Sequence, residues 1–175
     1  MVKEPLMAGI KVAEEAFNLS DLIDEYLERE SRPPRIGTYW PSEIGHCTRM
    51  NYYKRFIPTK IPSEKLRVFK SADLAHSFAR EVLASSDRVR LLTWEKSFSI
   101  LHDDFEISGR LDDMILVKIA GKDVPVVIEV KSVSGKSVGH IRSPSVPHLY
   151  QIHPYLRAVR SSVGIVWYIA RDKFC

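Results

Sequence analysis

The chain has 175 residues, 45% of them hydrophobic, which is enough for one domain of ordinary size with a proper core. A net charge of +4 and a pI near 9.1 permit a polyanionic partner without demanding one. Two cysteines, Cys47 and Cys175, exclude a disulfide framework, and no apolar run reaches signal-peptide or transmembrane length, so an intracellular, cytoplasmic protein with no membrane partner is expected.

Residues 1–18 read as an irregular lead or a short helix through Val12, Ala13, Ala16 and Phe17. Ser20 is a candidate cap for the next helix, whose apolar stripe is Leu19, Leu22, Ile23, Tyr26 and Leu27. The two prolines in residues 31–37 end it. Pro41 and Ser42 then predict a helix entry with Ser42 as cap. That helix would carry Ile44, Cys47, Tyr52 and Phe56, with Arg49, Lys54 and Arg55 as its basic residues. Aromatics interleaved with basic residues suit nucleic acid, through stacking and phosphate contact. A solvated basic face accounts for them as well.

Ser63 is placed to cap a longer helix over residues 64–84, with an apolar face of Leu66, Phe69, Ala72, Ala79, Val82 and Leu83. His76 falls on that inward face, either as a core residue with one hydrogen bond or as a ligand. From Leu91 the period changes from helical to alternating, with Leu92, Trp94, Phe98 and Ile100 sharing a face and Lys96 as the exception. After the polar turn 102–104 a return strand runs over residues 105–119, and Gly121-Lys122-Asp123 turns the chain into a third strand. The short connections predict an antiparallel meander.

Aspartate is a poor strand former, yet Asp112 and Asp113 lie in mid-strand, three residues after Gly109, a residue that permits a bulge or a close backbone approach. The third strand, residues 124–132, is β-branched and apolar except for Glu129 and Lys131, which share a face with Val127. A carboxylate and an ammonium on a buried strand cost free energy unless paired or metal-bound. One reading is a buried ion pair beside a strand break at the aspartates. The other sets Asp112 beside Glu129 on the neighbouring strand, a pair suited to Mg²⁺ or Mn²⁺.

A polar loop with Lys136, His140 and Arg142 and no acid follows, either a phosphate contact or a solvated loop. Pro147 opens a helix through Arg160 with a core stripe of Leu149, Ile152, Leu156 and Val159, while Gln151 and Tyr155 present together one turn apart. An apolar strand over residues 163–169 joins the sheet, and residues 171–175 begin a turn. The expected class is α/β (α+β): a core over residues 63–175 in the order αβββαβ, with a mixed central sheet flanked by helices and a helical extension over residues 1–62.

This order, with His76, Gly109 and Asp112, Glu129-Val130-Lys131, and Gln151 with Tyr155, resembles the PD-(D/E)XK nuclease superfamily and its RecB-like branch. The stretch PSEIGHCTRMNYY, with Cys47, Arg49, Tyr52 and Tyr53, is similar to the segment preceding the core in CRISPR-associated RecB-family exonucleases of the Cas-four type. The resemblance implies metal-dependent cleavage of DNA, in CRISPR spacer acquisition or in repair and recombination. It makes Asp112, Glu129 and Lys131 catalytic. It gives the ion to His76, Asp112, Glu129 and the Val130 carbonyl, and DNA contacts to Gln151, Tyr155, Lys136, Arg142 and Arg49. Partners would be single-stranded or duplex DNA ends, with a spacer-acquisition integrase or recombination proteins. A nucleic-acid-binding scaffold without turnover is the competing expectation. The family's iron–sulfur cluster needs four thiolates, so Cys47 serves it only if further cysteines lie beyond Cys175; otherwise Cys47 is expected to be a small, mostly buried helix residue.

Overall fold

In the computed structural model the described residues are 18–31, 36–57 and 59–172, so the expectations for residues 1–17, Pro58 and Cys175 lie outside them. Helix α1 (Leu19–Glu30) is capped by Asn18, whose side chain accepts from the Ser20 N–H, so the cap lies two residues before the serine expected to supply it. Of its predicted stripe only Leu27 is buried; Leu19, Leu22, Ile23 and Tyr26 are exposed. A two-residue strand β1 (Thr38–Tyr39) and a 3-10 turn (Pro41–Glu43) follow.

The helix expected to start at Ser42 starts six residues later, as α2 (Thr48–Phe56). Gly45, at φ +84°, occupies the left-handed region and interrupts the helical path between the two. Cys47 is therefore the residue before the first turn of α2, and its side chain is exposed rather than buried. Arg55, expected on a basic face that either contacts nucleic acid or is solvated, is buried: its guanidinium ion-pairs with Glu43, donates to the Thr38 carbonyl and lies 4.3 Å from the centre of the Tyr39 ring.

Helix α3 (Ser63–Ser85) leads into three long strands, β2 (Arg90–Leu101), β3 (Glu106–Ile119) and β4 (Lys122–Val133). They pair antiparallel, as the short connections predict. Ala120 (φ +49°) and Gly121 (φ +77°) form the β3–β4 turn, two positive-φ residues of the kind that match strand twist. The loop expected after β4 contains a short helix, α4 (Gly135–Val138), then α5 (Val146–Val159) and β5 (Val163–Ala170). Strand β5 pairs parallel to β4, which α5 permits by crossing over the sheet. The result is a mixed sheet flanked by helices, with β2 on one edge of β3 and β4 on the other; β1 adds two parallel pairs at the start of β3.

One sheet face buries Ile115, Val126, Ile128, Val130 and Ile169 against Ala79 of α3. The other buries Leu111 and Val127 against Ile152 and Tyr155 of α5. The predicted face of β2 holds only in its second half. A register shift between Leu91 and Thr93 turns Leu91 toward the α3 core and leaves Leu92 and Trp94 exposed, while Phe98 packs with α5.

Candidate functional site

The site begins where β3 and β4 stop pairing. Their ladder ends at Asp113↔Ile128, and the next acceptor for β4 is a side chain: Asp112 Oδ2 takes the Val130 N–H at 2.8 Å. A residue's N–H and C=O point to the same edge of a strand, so the Val130 carbonyl also faces the Asp112 side. Aspartate in mid-strand thus has a physical reason, since it replaces main-chain pairing at the point of divergence.

Alternation in β4 turns Val126, Ile128 and Val130 to α3 and Val127, Glu129 and Lys131 to α5. Glu129 is 1% exposed. Its Oε1 accepts from Lys131 Nζ at 2.7 Å and from Gln151 Nε2 at 2.6 Å. Gln151 Oε1 accepts from the same Lys131 Nζ at 2.7 Å, closing a three-residue ring. Its Nε2 also donates to the Tyr155 hydroxyl at 3.1 Å, which fixes the orientation of the amide. Gln151 and Tyr155 present together as their spacing predicts, and both are buried.

His76 reaches in from α3, with Nδ1 3.3 Å from Asp112 Oδ1. Burial pushes the Glu129 carboxyl up to about 7, aided by the Asp112 charge and opposed by Lys131 and His76. Burial pulls the His76 imidazole down, but hydrogen bonding to Asp112 and the charges of Asp112 and Glu129 outweigh it, and the net shift is upward. The Tyr155 hydroxyl is raised by burial and by Glu129, so it remains a neutral phenol.

The donor set suits a hard cation. Glu129 Oε2 is buried with no hydrogen-bond partner, and an orphaned carboxylate oxygen beside a carbonyl edge and a second carboxylate is the oxygen chemistry that Mg²⁺ and Mn²⁺ take. The arrangement is not a finished cage: among the described residues no three His, Cys, Asp or Glu side chains are grouped to hold a metal ion. Asp112 is committed to His76 and Val130 through its two oxygens, and His76 Nδ1 is committed to Asp112, which leaves Nε2 as its free nitrogen. One thiolate cannot hold a cluster, and Cys47 is the described cysteine.

Lys136, Arg142 and Arg49 are exposed and contribute nothing to this ring; Arg49 lies 5.7 Å from the centre of the Tyr53 ring. Two residues at the site's margin escaped the sequence reading. Arg80, one turn after His76 on α3, binds Asp113 at 3.4 Å and Glu95 at 2.7 Å, and Asp113 is wholly buried. His148, three residues before Gln151, holds the Tyr168 hydroxyl at 2.7 Å and is pulled down by burial and by the charges of Lys131 and His46. The i+4 and i−3 spacings from His76 and Gln151 were the available signals.

Among the described residues no helix is long and apolar enough to cross a membrane. No family model and no curated protein matches the sequence. The chain is similar in structure to the crystal structure of SSO0001, with a TM-score of 0.61 at 18% identity over 91% of this chain and 75% of that one. At that identity the likeness speaks to the fold, a mixed sheet flanked by helices.

Proposed function

We propose that this protein is a divalent-metal-dependent DNA nuclease with a PD-(D/E)XK core of the RecB-like kind, an exonuclease serving CRISPR spacer acquisition or DNA repair and recombination. The observation that carries the reading is the convergence of Asp112, Glu129, Lys131, Gln151 and His76 at the β3–β4 divergence. A buried ion pair alone would need neither an orphaned Glu129 oxygen nor a second carboxylate beside it.

A bound Mg²⁺ or Mn²⁺ supplies Lewis-acid polarisation of the phosphate and a lowered pKa for its water. The chain's own residues do the rest. Asp112, Glu129, the Val130 carbonyl and His76 are the residues that would hold it. Lys131, held between Glu129 and Gln151, is a compact positive charge for a phosphoryl oxygen and a partner for the attacking water. Gln151 fixes the directions of Glu129 and Lys131 together, and Tyr155 fixes Gln151. Arg49, Lys136 and Arg142 serve the DNA backbone from the exposed surface. An integrase or recombination protein would be the working partner.

Labelled single- and double-stranded DNA incubated with Mg²⁺ or Mn²⁺ is cleaved in this reading, and cleavage is lost in Glu129→Ala and Lys131→Ala proteins that retain the wild-type circular dichroism. Cleavage that survives either change would mean a different active site. The incomplete cation grouping favours a second reading, a nucleic-acid-binding scaffold without turnover. Calorimetric titration with Mn²⁺ separates the two, because a scaffold takes up no ion in a way that depends on Asp112.

A further inference from the structure

The described residues line a cavity of about 640 Å³ between α1, α2, α3 and the 3-10 turn. Nothing in the nuclease reading uses it. Its volume lies within the range of small-ligand pockets. Trp40, Met50 and Phe69 line it together and are 40%, 42% and 47% exposed, so their apolar surface is open to a ligand in the cavity.

The charges around it have one free sign. Glu43 is taken by Arg55 and Glu28 by Lys60. Lys54 and Lys65 line the same cavity and make no ion pair with a described carboxylate; Lys65 lies 5.8 Å from the centre of the Phe69 ring. Asn51, 8% exposed, gives its Nδ2 to the Glu43 carbonyl and so ties α2 to the turn at the cavity wall. Rings for stacking and ammonium groups for phosphate together describe one ligand chemistry.

The cavity has a wall that lies on the same helix that carries Gln151. His46 lines it and acts electrostatically on His148, on which the Lys131 charge also acts. A Cβ on Gly45 would come within 2.8 Å of the Tyr150 ring, which shows how closely this loop lies on α5.

We propose that this cavity is a binding subsite for single-stranded DNA, taking an unstacked base against Trp40 and Phe69 with its phosphates on Lys54 and Lys65. The proposal rests on the nuclease reading for its choice of DNA, but its test needs no turnover. Fluorescence anisotropy of a labelled single-stranded oligonucleotide, in EDTA and at low salt, reads binding alone. Trp40→Ala and the Lys54→Ala/Lys65→Ala pair each weaken binding by about tenfold, the size expected for loss of one stacked base or of two phosphate contacts. Trp40→Phe recovers most of it, and Lys122→Ala, at the distant β3–β4 turn, changes nothing. The Trp40 main-chain N–H, not its ring, binds Glu43, so the ring can be removed without breaking that contact. Wild-type affinity in folded Trp40→Ala protein, or equal losses for a blunt duplex of the same length, overturns the subsite. An Asp112→Asn protein that binds the strand but does not cut supports both proposals; one that binds and still cuts overturns the nuclease reading and leaves the subsite standing.

Discussion

At the scale of single residues, the site carries electrostatic tension of its own. Glu129 titrates at about 7 in the folded chain against an ordinary 4.5, so the native state holds this proton more tightly than the unfolded chain does. Its contribution to stability is whole below about pH 4.5 and is lost as pH rises through 7, a difference of about 3 kcal/mol. His76, with its net upward shift, acts in the same sense: its contribution is present below the ordinary imidazole value and fades as pH rises past the raised one. The metal-free protein should therefore show a lower urea midpoint at about pH 8 than at about pH 5, and Glu129→Gln should flatten the profile. A midpoint that climbs over this interval would contradict the arrangement. Arg80 supplies a second case. It is the cation beside the fully buried Asp113, and Arg80→Met should cost about 3 kcal/mol by leaving that carboxylate unpaired, read as a fall in melting temperature.

At the scale of elements, Gly109 shows how the N-terminal turn is held to the sheet. A Cβ there would meet Pro41 Cγ at 2.8 Å and Phe98 Cζ at 2.9 Å, and Pro41 is fully buried. Gly109→Ala should destabilise by about 1–3 kcal/mol in chemical denaturation, because a ring packed on both sides cannot retreat. Gly164→Ala should cost less, since the nearest atom there is the terminal Cδ1 of Ile152. An equal cost at the two positions would argue against the difference in yielding. The close approach that glycine permits at position 109 was legible in the sequence, but its partner was not.

At the scale of the whole molecule, the order of elements was legible because each strand alternates or runs apolar and each turn carries its own chemistry. Glu129 and Lys131 were legible because charge on a β-branched strand demands a reason. What stayed hidden depends on pairings between elements distant in sequence. The pairing of Arg80 with Asp113 leaves no spacing signature, and the left-handed backbone at Gly45 delays a helix whose entry Pro41 and Ser42 signal. The stripe of α1 was misread because periodicity reports what could be buried, and only Leu27 finds something to cover it.

The parallel pairing of β4 with β5 has a consequence in time. Asp112, Glu129 and Lys131 lie on neighbours joined by a two-residue turn, so their strands can meet through local contacts, whereas Gln151 and Tyr155 arrive on the crossover that a parallel partner requires. During refolding the carboxylates and the lysine should therefore assemble first and their orienting amide last. Trp167 on β5, paired in register with Val130, should accordingly reach its native fluorescence after hydrogen-exchange protection has appeared across β3 and β4. Simultaneous arrival of the two signals would mean that the meander and the crossover form as one cooperative step. A nascent chain that folds in this order has its charges together before it has the residue that tells them where to point.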